Sequence, residues 1–207
     1  MQLIQAISAF LSCEKPGKEN EMRKLILRMA ITLDGVVAPE AKDAFDFTDD
    51  EVWRDHFGML ETVDTVLLGA RMHQEYLSHW QAALNSPNSG ANERRYAALA
   101  ARMPHFVLSR TLRKIDWPNA SVLQGGVDGI ADLKKQDGRD IVLWGGATAA
   151  AAAIEAGVID EYHLVTHPVI AGRGKKLFGN GAGMRRMHHK ETKTFPSGIV
   201  ALKYARA

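Results

Sequence analysis

The chain has 207 residues, 46% hydrophobic and 24% charged, enough apolar material for one globular domain with a real core. Lysine and arginine number 26 against 24 acidic residues, a formal net charge of +2, which leaves no global field to gather nucleic acid. A single cysteine, Cys13, excludes an internal disulfide and a cysteine-based metal cluster and points to a reducing, cytoplasmic setting.

Leu3, Ile4, Ile7, Phe10 and Leu11 recur at helical spacing, but Gln2, Gln5 and Ser8 interrupt the run and no basic segment precedes it. It therefore reads as neither a signal peptide nor a membrane span. With the polar Pro16-Gly17 linker it forms an extension, residues 1–21, ahead of a domain spanning 22–207. Residues 23–31 (RKLILRMAI) read as the first strand and Thr32-Leu33-Asp34-Gly35 as the loop leaving it. A helix is expected over 49–63, capped by Thr48 with Glu51 completing a capping box, because Val52, Trp53, His56, Phe57 and Leu60 follow helical spacing.

A strand is expected at 65–68 and a helix over 70–80, then a surface loop at 84–91 and a helix over 92–102. Short strands at 105–108 and 121–123 precede a connecting helix over 127–135. Ile141 to Trp144 form an apolar run suited to a strand covered on both faces, ended by Gly145-Gly146. The alanine-rich segment 147–156 is a helix stopped by Gly157, and 162–170 returns to strand character. Runs at 184–194 and 199–204 about a Phe195-Pro196-Ser197-Gly198 turn predict an antiparallel hairpin at one edge. Alternating strands and helices through the middle predict an α/β fold with a largely parallel sheet.

Three strand ends carry anion-binding chemistry. Gly145-Gly146-Ala147-Thr148 opens a helix whose first turn offers N–H groups and the positive end of its dipole. Gly69-Ala70-Arg71 and Ser109-Arg110-Thr111 add guanidinium and hydroxyl groups. Each alone is also an ordinary turn; together, in one alternating sheet, they point to the carboxyl edge where dinucleotides bind. No G-x-G-x-x-G follows the first strand, and GNGAG at 179–183 reads as a loop. No metal site is expected: His188 and His189 are adjacent, and His163 and His167 have no cysteine or carboxylate at ligand spacing. A G-x-S-x-G hydrolase elbow is missing.

The segments KLILRMAITLDGVVA, VLLGARMHQEY, HFVLSRTL and IVLWGGATAAAAAIEAGVIDEYHLVTHPVIAGRGKKLF run in one order from residue 22 onward. In these the chain resembles the dihydrofolate reductase superfamily, in the branch holding the reductase domain of the bifunctional riboflavin-biosynthesis deaminase/reductase and its stand-alone relatives. The resemblance implies a three-layer dihydrofolate-reductase-like fold with a mixed sheet flanked by helices. It implies that Gly145 and Gly146, joined by a cis peptide, lie against a dinucleotide, with Ala147 and Thr148 facing its pyrophosphate. Arg71 and the Ser109-Arg110 pair would hold the adenosine ribose and 2′-phosphate, with Gly69 also at the cofactor, favouring NADPH. Leu33, Asp34 and Gly35 match a loop that closes over the nicotinamide, and Trp53, Phe57, Trp144 and Thr166 match substrate-pocket positions.

The departures are as informative. Ala70 and Met72 replace a cation and a hydroxyl near the phosphates, and Trp53 stands where dihydrofolate reductases carry the pterin-binding carboxylate. Dihydrofolate reduction is then not the expected activity, unless Asp50 or Glu51 takes that role. The reading is an NADPH-dependent reductase of a small planar heterocycle or carbonyl, with water or Asp34 as proton source. Asp34 also reads as a turn former, and Trp53 and Phe57 as plain core residues. Two alternatives stand: the 5-amino-6-(5-phosphoribosylamino)uracil reductase of riboflavin synthesis, and a nucleotide-binding protein without turnover. The first predicts a basic phosphate pocket, for which Lys175, Lys176, Arg185 and Arg186 are the available cations. The edge hairpin and the extension are candidate homodimer contacts, and no membrane or nucleic-acid partner is expected.

Overall fold

A strand such as LILRMAIT, apolar at almost every position, has no face to offer water and must lie in the middle of a sheet covered on both sides. In the computed structural model, which describes residues 22–41, 43–46, 48–179 and 183–207, this segment is β1 (Leu25–Thr32), flanked by β6 (Asp140–Gly145) and β7 (Glu161–His167), both parallel to it. Beyond β6 lie β3 (Val63–Gly69), β4 (His105–Leu108) and β5 (Ala120–Leu123), all parallel. Beyond β7 lie β10 (Val200–Arg206) and β9 (Met187–Thr194), both antiparallel to their neighbours. The eight-stranded order is β5-β4-β3-β6-β1-β7-β10-β9, so the predicted mixed sheet and C-terminal edge hairpin are both present.

Helices cover the two faces. On one, α4 (Gly129–Lys134) and α5 (Ala147–Glu155) bury Ile130, Ala150, Ala153 and Ile154 against Leu25, Leu27 and Leu143. On the other, α1 (Asp50–Leu60), α2 (His73–Asn85) and α3 (Ala91–Ala100) bury Phe57, Leu60, Tyr76, Leu77 and Tyr96 against Val66, Leu68 and Val142. The alanines of α5 let it approach the sheet closely: a Cβ added to Gly69 would lie 3.1 Å from the Ala149 Cβ.

Local details differ from the sequence reading. Asp49, not Thr48, caps α1, its carboxylate accepting from the N–H groups of Glu51 and Val52 at 2.8 and 2.9 Å. Asp49 wins because its other oxygen also accepts the Ser197 N–H at 2.9 Å, tying the helix start to the hairpin turn. Helix α2 starts at His73 and runs to Asn85, so the expected loop is shorter. A second ribbon was not anticipated: β2 (Val36–Pro39) pairs antiparallel with β8 (Gly174–Lys176), pieces too short to show a period. Among the described residues every peptide bond, Gly145–Gly146 included, is trans, unlike the implied cis link. No helix of the described residues is long and apolar enough to cross a membrane. The extension 1–21 and residues 180–182 of the GNGAG segment lie outside the described residues.

Candidate active site

The carboxyl ends of β3, β4, β5 and β6 open on one cleft of about 1110 Å³. Gly69 and Arg71 enter it from the end of β3, Ser109 and Arg110 from β4, and Gly146, Ala147 and Thr148 from the β6–α5 turn. Seven of the residues predicted to hold a dinucleotide thus line one cavity. At that turn Gly146 sits at φ +91°, and α5 has no side-chain cap, its first helical bond being Ala150 N–H to the Gly146 carbonyl. At a helix start the first N–H groups have no partner within the helix and can receive an anion. The Ser109 hydroxyl accepts the N–H groups of Thr111 and Leu112 at 3.2 and 3.0 Å, which folds the β4 loop and displays Arg110.

Sequence reasoning missed part of this cleft. Gly125-Gly126-Val127-Asp128, following β5, lines it, with both glycines in the left-handed region at φ +79° and +60°. The signal was available, because it is the same strand-then-Gly-Gly pattern as at 145–146. Ala38 and Lys175, on the short ribbon, complete the opposite wall. Gly145 departs from expectation: it lines a second cavity instead, with Met72 packed on it so closely that a Cβ would lie 3.0 Å from the Met72 sulfur.

That second cavity, about 520 Å³, shares Ala38, Arg71, Gly146 and Ala147 with the first, so the two meet at the β6–α5 turn. Trp53 and Trp144 line it as predicted, joined by Met29, Phe45, Val52 and Val165. The rings form a connected cluster: His56 lies 4.6 Å from Trp144, and Trp53 and Tyr96 flank His56 at 5.7 and 5.1 Å between centroids. Phe57 is a core residue, 4% exposed, stacked under Trp53 with the Arg95 guanidinium 3.9 Å from its ring centre. Thr166 is likewise outside the cavity. Strand side chains alternate, so Val165 and His167 face the cavity and Thr166 takes the α5 side with Leu164.

The polar groups of this cavity were not legible as such. Arg28, in the middle of the apolar β1, is buried beside it and pairs with the equally buried Asp55 of α1 at 3.2 Å. A charge inside an apolar strand was the available sign of a buried partner. Burial alone pushes the Asp55 carboxyl up, but Lys193, Arg28 and Lys203 outweigh it and hold it below the ordinary range. His56 is driven down to about 3 by burial, reinforced by Arg28 and opposed by Asp55, so its imidazole is neutral. Burial also pushes His167 down.

Asp34 stands outside both cavities. Its carboxylate accepts from the Thr32 hydroxyl at 2.6 Å and from the N–H groups of Ala171 and Gly172 at 3.0 and 2.9 Å. Those bonds, the Thr32 hydroxyl foremost, hold it at about 2, and it lines neither cavity. It clamps the β1–β2 loop to the segment before β8. Asp50 and Glu51 do not enter the site either; Asp50 accepts from Asn92 at 2.9 Å and Glu51 pairs with Arg54 at 3.2 Å. Of the four cations considered for a substrate phosphate, Lys175 borders the first cleft, while Arg185 donates to the carbonyls of Ile154 and Glu155 at the end of α5. Among the described residues no group of three or more metal-ligating side chains comes together.

Fold and site together define a dihydrofolate-reductase-like α/β protein. The family model described as the RibD C-terminal domain matches residues 23–201, and the chain belongs to that family. It is 29% identical over 185 residues to the uncharacterized protein YyaP of Bacillus subtilis (strain 168), covering 89% of this chain and 95% of that one. Its fold is similar to a putative riboflavin biosynthesis protein from Shewanella sp. PV-4, with a TM-score of 0.68, 21% identity, and coverage of 89% and 99% of the two chains. It is also similar to the dihydrofolate reductase of Enterococcus faecalis complexed with NADP(H), with a TM-score of 0.57, 15% identity, and coverage of 88% and 96%.

Proposed function

We propose that the chain is an NADPH-dependent reductase of a small planar carbonyl or heterocycle. The observation that carries this reading is the shared wall: a dinucleotide-sized cleft and an aromatic cavity meet at Gly146-Ala147 and Arg71. The residues fit the cofactor. Gly146 leaves no side chain between the helix start and a phosphate, and an added Cβ there would lie 3.2 Å from the Gly69 Cα. Arg71, Arg110 and Lys175 are the cations bordering the cleft, with Arg110 suited to a 2′-phosphate. A reduced nicotinamide, when bound, supplies a hydride to the substrate. Trp144 and Trp53 offer flat faces that orient a planar ring, and the apolar walls from Val52, Val165 and Phe45 exclude water. Proton delivery falls to solvent, because Asp34 is clamped elsewhere.

The test is NADPH oxidation with a panel of pterins, quinones, aldehydes and 5-amino-6-(5-phosphoribosylamino)uracil. Turnover of the last compound alone would favour the riboflavin-pathway reading, which family membership supports. Cofactor binding without turnover across the panel would favour a protein that has kept the fold and lost the reaction. We place the protein in the cytoplasm and propose that it pairs through the exposed edge strand β9, with light scattering as the check.

A further inference from the structure

The second cavity is electrostatically one-sided. Of the groups lining it, Glu75 is exposed on α2 and Arg71 belongs to the boundary with the cleft; the interior holds Arg28, His56 and His167. Behind Arg28 lies a chain of ions. Asp55 takes Lys193 at 2.9 Å and Lys203 at 3.8 Å, and Glu191 takes the same two lysines at 3.2 and 2.7 Å. Arg28, Lys193 and Lys203 against Asp55 and Glu191 leave one positive charge in excess. Asp55, Glu191 and both lysines line a different hollow on the far side, so Arg28 is the member of this chain that borders the aromatic cavity. A guanidinium has five donors in a planar fork, and the Arg28 bond to Asp55 uses Nη1. Beside it stands a neutral imidazole, and among the described residues the one carboxylate lining the cavity is the exposed Glu75.

We infer that this cavity is built to stabilise negative charge on a substrate oxygen, with Arg28 and His56 as the groups that hold it, and that its substrate class is an uncharged, planar conjugated carbonyl such as a quinone or enone. The inference rests on the reductase reading of the same site. Hydride transfer from a reduced nicotinamide dinucleotide would break one dihydronicotinamide C–H bond, leaving the oxidised pyridinium, while the substrate gains one C–H bond and its π pair shifts onto oxygen. The resulting enolate or phenolate then takes its proton from solvent. Developing oxyanions are what a buried cation and a neutral N–H donor stabilise. A C=N substrate runs the other way, since it is protonated before hydride arrives and would meet Arg28 as a cation. A buried carboxylate is the group that would receive it, and among the described residues the carboxylate lining this cavity, Glu75, is exposed.

The experiment uses 4-nitrophenol with the full chain and no cofactor, reading the phenolate absorbance as pH is varied. Binding should favour phenolate over phenol by at least roughly tenfold, lowering the bound dye's apparent pKa by about one unit. His56→Phe and Arg28→Met should each abolish that preference. Because Arg28→Met leaves Asp55 with less compensation and can fail to fold, Arg28→Lys is run beside it, with circular dichroism as the folding check. It should retain part of the shift. Equal or weaker binding of phenolate, no binding at all, or a shift untouched in folded His56→Phe and Arg28→Lys proteins would overturn the inference. The reductase reading fails separately, by absence of NADPH binding in the unsubstituted protein.

Discussion

Gly69 and Gly146 face each other across the carboxyl ends of β3 and β6, so close that a Cβ on Gly146 would meet the Gly69 Cα at 3.2 Å. Gly146 therefore has two reasons to lack a side chain, the approach of β3 behind it and the open cleft before it. Its φ of +91° adds a third. Gly146→Ala should cost about 1–3 kcal/mol of stability through strain at that backbone. NADPH affinity should fall by roughly tenfold or more, since a lost charge-assisted contact is worth about 1.5–3 kcal/mol. Thermal unfolding and calorimetric titration read the two effects separately.

Arg110 is the residue on which to test cofactor choice. It borders the cleft on an exposed turn held by the Ser109 hydroxyl. If it receives a 2′-phosphate, Arg110→Ala should weaken NADPH by roughly tenfold and leave NADH within about twofold, because only the former carries that group. Equal losses for both cofactors would place Arg110 elsewhere on the dinucleotide. Parallel titrations with the two cofactors decide it.

Phe57 tests the corrected boundary between core and cavity. It is 4% exposed, under Trp53 and against Arg95. Phe57→Ala should destabilise the fold by about 3–5 kcal/mol, the usual cost of emptying an aromatic site. Ligand affinity measured well below the new midpoint should change little. A variant of normal stability with lost ligand binding would return Phe57 to the pocket.

Much of this was legible in the chain. Apolar runs located β1, β3 and β6 as strands, β6 as one covered on both faces, and strand ends bearing Gly or Ser-Arg pointed to the cleft. What escaped depended on pairings distant in sequence. Arg28 and Asp55 are 27 residues apart, and nothing local marks them as partners. Thr166 was misplaced by one residue, which on a strand moves a side chain to the other face. Asp34 looked like a free loop carboxylate because its bonds to Ala171 and Gly172 span 137 and 138 residues.

Acid should destabilise the protein early. Burial lowers His56 to about 3 and pushes His105, His163 and His167 down as well. A histidine with a depressed folded pKa binds its proton more readily when unfolded. Its contribution is thus complete above the unfolded value near 6.5 and is lost as pH falls toward the folded value. The slope reaches at most about 1.4 kcal/mol per pH unit for each such histidine. Urea unfolding between pH 7 and pH 4 reads it, and His56→Phe should make the slope shallower by about one proton.

Asp34→Asn separates clamp from proton donor. A carboxylate held at about 2 is ionised throughout the neutral range, so the variant should keep the shape of the pH–rate profile from roughly pH 5 to 9. It should also make the β1–β2 loop more open to limited proteolysis, since Asn replaces an acceptor for two N–H groups with a weaker one. Loss of one limb of the profile would restore Asp34 to the chemistry.

The central claim is that the cleft at Gly146, Ala147 and Thr148 holds a reduced nicotinamide dinucleotide beside a cavity walled by Trp53 and Trp144. Titrating NADPH while exciting tryptophan tests it directly. Saturable quenching with energy transfer to the dihydronicotinamide is expected at micromolar NADPH, and should be lost in Gly146→Ala. Absence of saturable binding for both NADPH and NADH up to high micromolar concentration would contradict it.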